Sequence, residues 1–524
     1  MSPARHAGIN VPLFSLRADA GWGIGELPDL AIVSRWMADA RLDGLMLLPL
    51  GTMPPGQTSP YSAVSTLAID PIYIGLRDVV DFHAAGGEAA LSPAAREAIA
   101  RARSATCIDY DAVRTAKDGA LRRAFAHFVA DEWQRQTTRA ADLAAYIARE
   151  RWWIDDYGLF LAVREAHAGV AWSAWPAPLA ARDPQAMAEA RRDLAADVLF
   201  HQYAQWLAEG QWQAARAGAY ARGVRLFGDL PFVAGSDSPE VWANAGDFRL
   251  DVSTGVPPDA FSATGQDWGL PTYRWDVIAA GGYAWHRQRT RRMAALFDGL
   301  RVDHVIGLFR TYGRPLVGDP FFTPADEPAQ IAQGRALMTM LAESGLALIA
   351  EDLGVTPDFV RASLADLGIP GCKVMRWERD WHAPGAPFFP PESYAPLSAA
   401  MTGTHDTDPL RAWWETTSDD EQRAYLRILD APASRDEEPV PAWSAALRDS
   451  LLRAAYRTGS QELFLPLQDV FGWPDRINVP GTVGPHNWTW CLPWAIEALA
   501  DRPDARERAA YLRSLAADTG RGAG

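Results

Sequence analysis

Apolar residues are concentrated in eight short runs, many of which run into charge, glycine or proline. In order they are "GINVPLFSL" (8–16), "LDGLMLLPL" (42–50), "VRLFGDLPFV" (224–233), "FDGLRVDHV" (297–305), "LALIAEDLG" (346–354), "IPGCKVMRW" (369–377), "SAAMTGTHDTD" (398–408) and "ELFLPLQDV" (462–470). Their apolarity is continuous rather than alternating, the mark of strands buried on both faces. Helical periodicity lies between several of them, at 28–40, 284–296, 333–345, 358–367 and 445–458. Strand and helix alternating at this spacing is βα repetition. Eight such strands predict an α/β protein, a (β/α)8 TIM barrel with helical insertions, built as one domain over 1–524.

The spacing is uneven. Some 175 residues separate the second run from the third, and most of them read as helix. "LSPAAREAIARARS" (91–104) opens with a serine cap and a proline close behind. The long segments after it are rich in Ala, Glu, Gln and Arg, all good helix formers. Residues 75–215 therefore read as a mostly helical subdomain inserted in the barrel. A second insertion, 234–283, has little regular periodicity and many Gly, Pro and aromatic residues. Long loops of that kind are usually functional, so it reads as an active-site loop. The tail "DTGRGAG" (518–524) reads as disordered.

Composition narrows the classes. Lys plus Arg total 50 against 65 Asp plus Glu, a formal net charge of −15. No basic footprint dominates, which argues against nucleic acid as a partner. The short basic runs at 101–104 and 289–292 read as solvated helix faces or ends. No window approaches the roughly 18 apolar residues of a membrane span, and the N-terminus lacks a secretory apolar run. The three cysteines, Cys107, Cys372 and Cys491, form no C-x-x-C pair and no disulfide framework. Together these predict a cytoplasmic protein that is not bound to a membrane. The ten histidines show no metal-ligand spacing. "GWGIG" (21–25) lacks the G-x-G-x-x-G frame and the trailing lysine of a nucleotide loop. Neither metal nor cofactor is expected. The 22 tryptophans are the unusual item. Most serve packing, but those near charged residues and loop glycines, as in "GQDWGLPTYRW" (265–275), are also what sugar rings stack against.

Barrel chemistry sits at strand C-terminal ends. There the runs place Asp229, Arg301 with Asp303, Glu351 with Asp352, His405 with Asp406, and Gln468 with Asp469. Strand alternation puts Arg301 and Asp303 on one face and Leu300 and Val302 on the other. Asp303, Glu351 and Asp406 can thus converge from three strands. Two carboxyl groups in different environments suffice for glycoside chemistry, one ionised and one holding its proton. A set of internal salt bridges at the barrel mouth is the other reading of the same spacing.

The motifs carry a resemblance. "GLRVDH", "IAEDLG" and "GTHDTD" resemble three signatures of the α-amylase superfamily. "PLFSLRADAGWGIGELPDL" (12–30), "LLPLGTMPPGQTSPYSAVSTLAIDPIYI" (47–74), "GDLPFVAGSDSPEVWAN" (228–244), "GVPPDAFSATGQDWGLPTYRW" (255–275) and "INVPGTVGPHNW" (477–488) resemble its 4-α-glucanotransferase branch. That branch comprises the amylomaltases or disproportionating enzymes of glycoside hydrolase family 77, and the likeness runs from about residue 9 to 495. It implies a retaining transferase that moves α-1,4-glucan segments between malto-oligosaccharides, with glucose or an oligosaccharide as acceptor. Asp303 matches the family's nucleophile, Glu351 its acid/base and Asp406 its transition-state stabiliser. The resemblance puts Arg301, His304 and His405 around the sugar and Asp229 in support. It puts Asp259 and Trp268 in the loop over the acceptor, Tyr61 near the glucan, and Arg476 and Asn487 in supporting or substrate-side positions. Retention implies carboxyl groups about 5–5.5 Å apart. The chain departs from the family at Leu270, Cys491 and Asp70, where Asn, Arg and Asn are common. Hydrolysis by the same carboxylates, or glucan binding without catalysis, are the alternatives.

Overall fold

The structure is a computed structural model and describes residues 4–258, 264–429 and 439–522. All eight apolar runs contain strands: β1 (Gly8–Asn10), β2 (Gly44–Met46), β3 (Arg225–Leu230), β4 (Gly299–Val302), β5 (Ala347–Ala350), β6 (Gly371–Val374), β7 (Ser398–Met401) and β8 (Glu462–Pro466). Each pairs in parallel with its neighbours in chain order, and β1 pairs with β8 to close the barrel. This is the expected (β/α)8 architecture.

Alternation inside the barrel explains where the chemistry lies. Phe227, Ile349, Cys372, Ala399 and Phe464 form a buried apolar floor. Two residues further along the same inward columns come Asp229 above Phe227, Glu351 above Ile349, and Arg301 then Asp303 above Gly299. Gly299 is required by this packing, because a Cβ there would lie 2.3 Å from the Phe227 ring. The outward residues Leu300 and Leu45 are fully buried under the surrounding helices.

Between β2 and β3 the chain forms helices at Pro93–Ser104, Tyr110–Phe128, Thr138–Ala166, Pro184–Asp193 and Ala195–Tyr220. Side-chain caps start several of them. Ser92 accepts from the Ala95 amide at 3.1 Å, with Pro93 next in line, and Asp183 precedes Pro184 in the same way. A buried cation ties this region to the barrel. Lys117 Nζ donates to Glu26 Oε1 at 2.7 Å and to the carbonyls of Ile72 and Ile74 at 2.6 and 2.7 Å.

Three expectations are corrected. Residues 234–283 are not aperiodic. They contain strands Phe248–Val256 and Gln266–Tyr273, which join Thr311–Pro315 and Phe321–Thr323 in a four-stranded antiparallel side sheet. Register shifts between Arg249 and Ser253, and between Thr254 and Gly255, break the two-residue period. Within 289–292, Arg289 and Arg292 are buried rather than solvated. Arg292 pairs with Glu209 at 2.7 Å, and Arg289 donates to the Pro231 carbonyl at 2.6 Å. Their helix is enclosed between the barrel and Ala195–Tyr220, so charge there meets partners instead of water. The tail is ordered through residue 522. Arg521 is 2% exposed and donates to the carbonyls of Tyr456, Thr458 and Ser460, which holds the last turn down. No helix among the described residues is long and apolar enough to cross a membrane.

Candidate active site

Register builds the centre of the site. Asp229 on β3 lies directly across from Arg301 on β4. One guanidinium nitrogen, Arg301 Nη1, reaches Asp229 Oδ1 and Oδ2 at 2.9 and 2.8 Å and Asp303 Oδ1 at 2.8 Å. Burial works against the Arg301 charge, and the two aspartates reverse that and raise it well above its ordinary value. A permanently charged guanidinium is thus held between two carboxylates, in the manner of a charge-assisted hydrogen bond.

Glu351 follows β5. Its Oε2 accepts the His304 backbone amide at 2.8 Å. That amide is aimed by an uncommon conformation, since His304 has φ 45°. Gly307 makes room for it, because a Cβ there would lie 2.8 Å from both the His304 and Phe232 rings. Burial pushes Glu351 up to about 8, with the Asp303 charge adding to the rise against the pull of Arg301. Burial also lowers His304 to about 4, leaving a neutral ring at neutral pH.

Asp406, after β7, sits in the opposite kind of environment. Its side chain keeps 42% of its surface open to the cleft. Asn478 Nδ2 donates to Oδ1 at 2.6 Å, and His405 Nε2 lies 3.4 Å from Oδ2. What burial there is works against ionisation, but His405 and Asn478 outweigh it and hold the group down at about 2. Desolvation in turn opposes the His405 charge, and Asp406 raises it above its ordinary value.

Tyr61 closes the ring of contacts. Its hydroxyl donates to Asp229 Oδ2 at 2.6 Å and lies 3.0 Å from His405 Nε2. A phenol has one proton, so with that proton on Asp229 the oxygen accepts from the His405 Nε2–H. The Tyr61 and His405 rings stack at 5.4 Å. Asp229, Arg301, Asp303, Tyr61, His405 and Asp406 therefore form one connected polar network.

The remaining sequence candidates fall at different depths. Trp268, on the side sheet, meets the His304 ring edge-on at 4.9 Å. Arg476 donates to the Asp406 carbonyl at 2.5 Å and to Asp408 Oδ1 at 2.8 Å. Asn487 accepts from the Val479 amide at 2.9 Å and donates to the Thr482 carbonyl at 2.9 Å, fastening the turn after Asn478. Asp259 lies outside the described residues. Asp469 is turned away to cap Leu410 and bond Thr402, and Asp352 accepts the Cys372 amide at 2.9 Å. Asn478 is the residue that sequence reasoning missed. It lies inside "INVPGTVGPHNW", where Asn487 drew attention instead. Of the departures, Asp70 caps Pro71–Tyr73 and pairs with Arg114 at 3.0 Å. Among the described residues no group of three or more His, Cys, Asp and Glu could hold a metal ion.

A closed parallel barrel with paired and unpaired carboxylates at its C-terminal mouth defines the class: a (β/α)8 enzyme. The sequence profile described as 4-alpha-glucanotransferase, of glycoside hydrolase family 77, matches residues 11–496. The chain is 35% identical over 507 residues to the 4-alpha-glucanotransferase of Thermus thermophilus, covering 93% of each chain. It is 34% identical over 485 residues to that of Synechocystis sp., covering 90% of each. The amylomaltase from Streptococcus agalactiae in complex with acarbose superposes with a TM-score of 0.82 at 26% identity, covering 99% of this chain and 100% of that one. The chain belongs to the 4-α-glucanotransferase family and is an enzyme of that type.

Proposed function

We propose that the enzyme moves α-1,4-glucan segments between malto-oligosaccharides by double displacement, with Asp303 as nucleophile and Glu351 as acid/base. The observation that carries this reading is the contrast within one cleft: Asp303 is held by a fixed guanidinium, while Glu351 is lifted to about 8. One carboxylate ready to attack and one carboxyl ready to donate are what glycoside cleavage needs. Arg301 takes Asp303 Oδ1, which leaves Oδ2 to attack the anomeric carbon. As the C1–O4 bond breaks, Glu351 gives its proton to the leaving O4. The His304 amide occupies Oε2, so the proton resides on Oε1. In the second half, Glu351 takes the proton of an acceptor 4-hydroxyl, that oxygen attacks C1, and the ester to Asp303 breaks. Asp406, held ionised, grips sugar hydroxyls and offsets charge developing at the ring.

Transfer rather than hydrolysis requires that an acceptor sugar, not water, meets the ester. The side sheet supports this, since it sets Trp268 against His304 at the cleft. The enzyme would take malto-oligosaccharides and other α-1,4-glucans as donors and glucose or an oligosaccharide as acceptor. The test is to supply pure maltotriose and resolve the products. Glucose together with chains longer than maltotriose is expected. Glucose and maltose alone, with one new reducing end per cut, would make the enzyme a hydrolase, and no turnover would leave only binding.

A further inference from the structure

A cavity of about 310 Å3 has none of Asp303, Glu351 and Asp406 among its lining residues. It opens between the loop after β3, the turn around Trp172 and the side sheet. Trp172, Ser236, Asp237, Ser253, Leu270 and Leu316 are among its walls. Its volume falls at the lower end of the range of ligand pockets. Cavities lined by Asp229 or Asp303 are far smaller, at about 10, 20 and 30 Å3.

Its walls select a chemistry. Leu270 and Leu316 supply apolar surface, and Leu316 is 87% exposed. Ser236 and Ser253 supply short polar groups beside it. Asp237 is held from behind by Arg164 at 3.2 Å and by the Trp172 amide at 3.1 Å, so its position is preset. No lysine or arginine is among the described residues that line the cavity. The lining carboxylates are paired, Asp237 with Arg164 and Asp251 with Arg249 at 3.7 Å, so the walls present no lysine or arginine to draw phosphate or another anion. A neutral ligand with an apolar face and a rim of hydroxyls fits, and a glucosyl ring has that form.

Its place adds the rest. Leu270 is two residues from Trp268 on one strand, across the bulge at Gly269. The strand that presents Trp268 to His304 therefore carries one wall of the cavity.

We propose that this cavity is an accessory α-glucan site, which takes a maltosyl-sized segment of a chain whose nearer end lies at Trp268. The proposal rests on the glucan reading of the active site. Long chains span both places, whereas maltotriose engages only the cleft.

The experiment compares maltotriose with maltoheptaose in Ser173→Trp, which fills the rim at the Trp172 turn, and in Leu250→Asp, an exposed position on the side-sheet wall. Both variants should fold with an unchanged Tm. The KM for maltoheptaose should rise about fivefold to tenfold, while kcat and the maltotriose reaction stay as in the parent. Calorimetry of maltoheptaose with Asp303→Asn, alone and combined with Ser173→Trp, should show the same loss of affinity without turnover. An unchanged maltoheptaose KM and Kd in both folded variants would overturn the accessory site. Failure of the parent to rearrange maltotriose would instead overturn the active-site reading, and the calorimetric comparison would still judge the cavity.

Discussion

Glu351 and Asp406 stand at the same barrel mouth, yet their surroundings drive them in opposite directions. Glu351 is half-buried, shares its space with the Asp303 charge and receives a single backbone donor, and it rises to about 8. Asp406 is open to the cleft, faces a histidine and accepts from an asparagine, and it falls to about 2. What sets this difference is whether a carboxyl's neighbours compensate its charge or repel it. Nor does mere position at a strand end make a reacting group, as Asp469 shows by spending both oxygens on Thr402 and Leu410.

The strongest way to break the comparison is to remove the charge that both halves are arranged around. Asp303→Asn should lower kcat by about 10^4-fold or more, with little change in thermal midpoint, because Arg301 keeps its contacts to Asp229. Near-normal turnover by a folded variant would sink the nucleophile assignment. Glu351→Gln should cost about 10^2- to 10^4-fold. The parent's pH profile carries the same information. Below about 8 Glu351 holds its proton and can donate it, so activity should fall as pH rises through 8. That alkaline limb should vanish from the residual activity of Glu351→Gln. Asn478→Ala tests the other wall. Loss of one hydrogen bond to a charged acceptor costs about 1.5–3 kcal/mol, which here should appear as a drop of about tenfold to a hundredfold in kcat/KM. The smallest effect is spectroscopic. His304 should titrate near 4 and His405 above 6.5 when their ring protons are followed by NMR. His405 is raised on folding, so its contribution to stability is full below about pH 6.5 and is lost as pH rises through its folded value. Coincident titrations would mean that the two walls are electrostatically alike.

All eight strands were legible because a strand buried on both faces must be continuously apolar, and because the inward columns change from Ile349 to Glu351 and from Phe227 to Asp229 within two residues. The side sheet was not, since its bulges interrupt the alternation that marks a half-buried strand. Arg289 and Arg292 misled for a different reason. Charge in a helix reads as solvent exposure until a partner distant in sequence is known, and Glu209 is such a partner. Asn478 shares that difficulty, because the loop after β8 reaches Asp406 from 72 residues away. The side chains on β3, β4 and β5 needed only local alternation and register, whereas those brought by loops needed the closed barrel.

Lys117 has a consequence for how the molecule comes apart. Its ammonium, 1% exposed, belongs to the helices between β2 and β3, while Glu26 precedes the turn Leu27–Asp29 in the connection from β1 to the first helix. Moving the helices away gives up the Lys117–Glu26 pair and the ammonium's bonds to the Ile72 and Ile74 carbonyls together. Local opening of those helices is therefore coupled to loosening of the barrel's first βα turn, and the protein should melt in one cooperative step in which helices and barrel share a single unfolding unit.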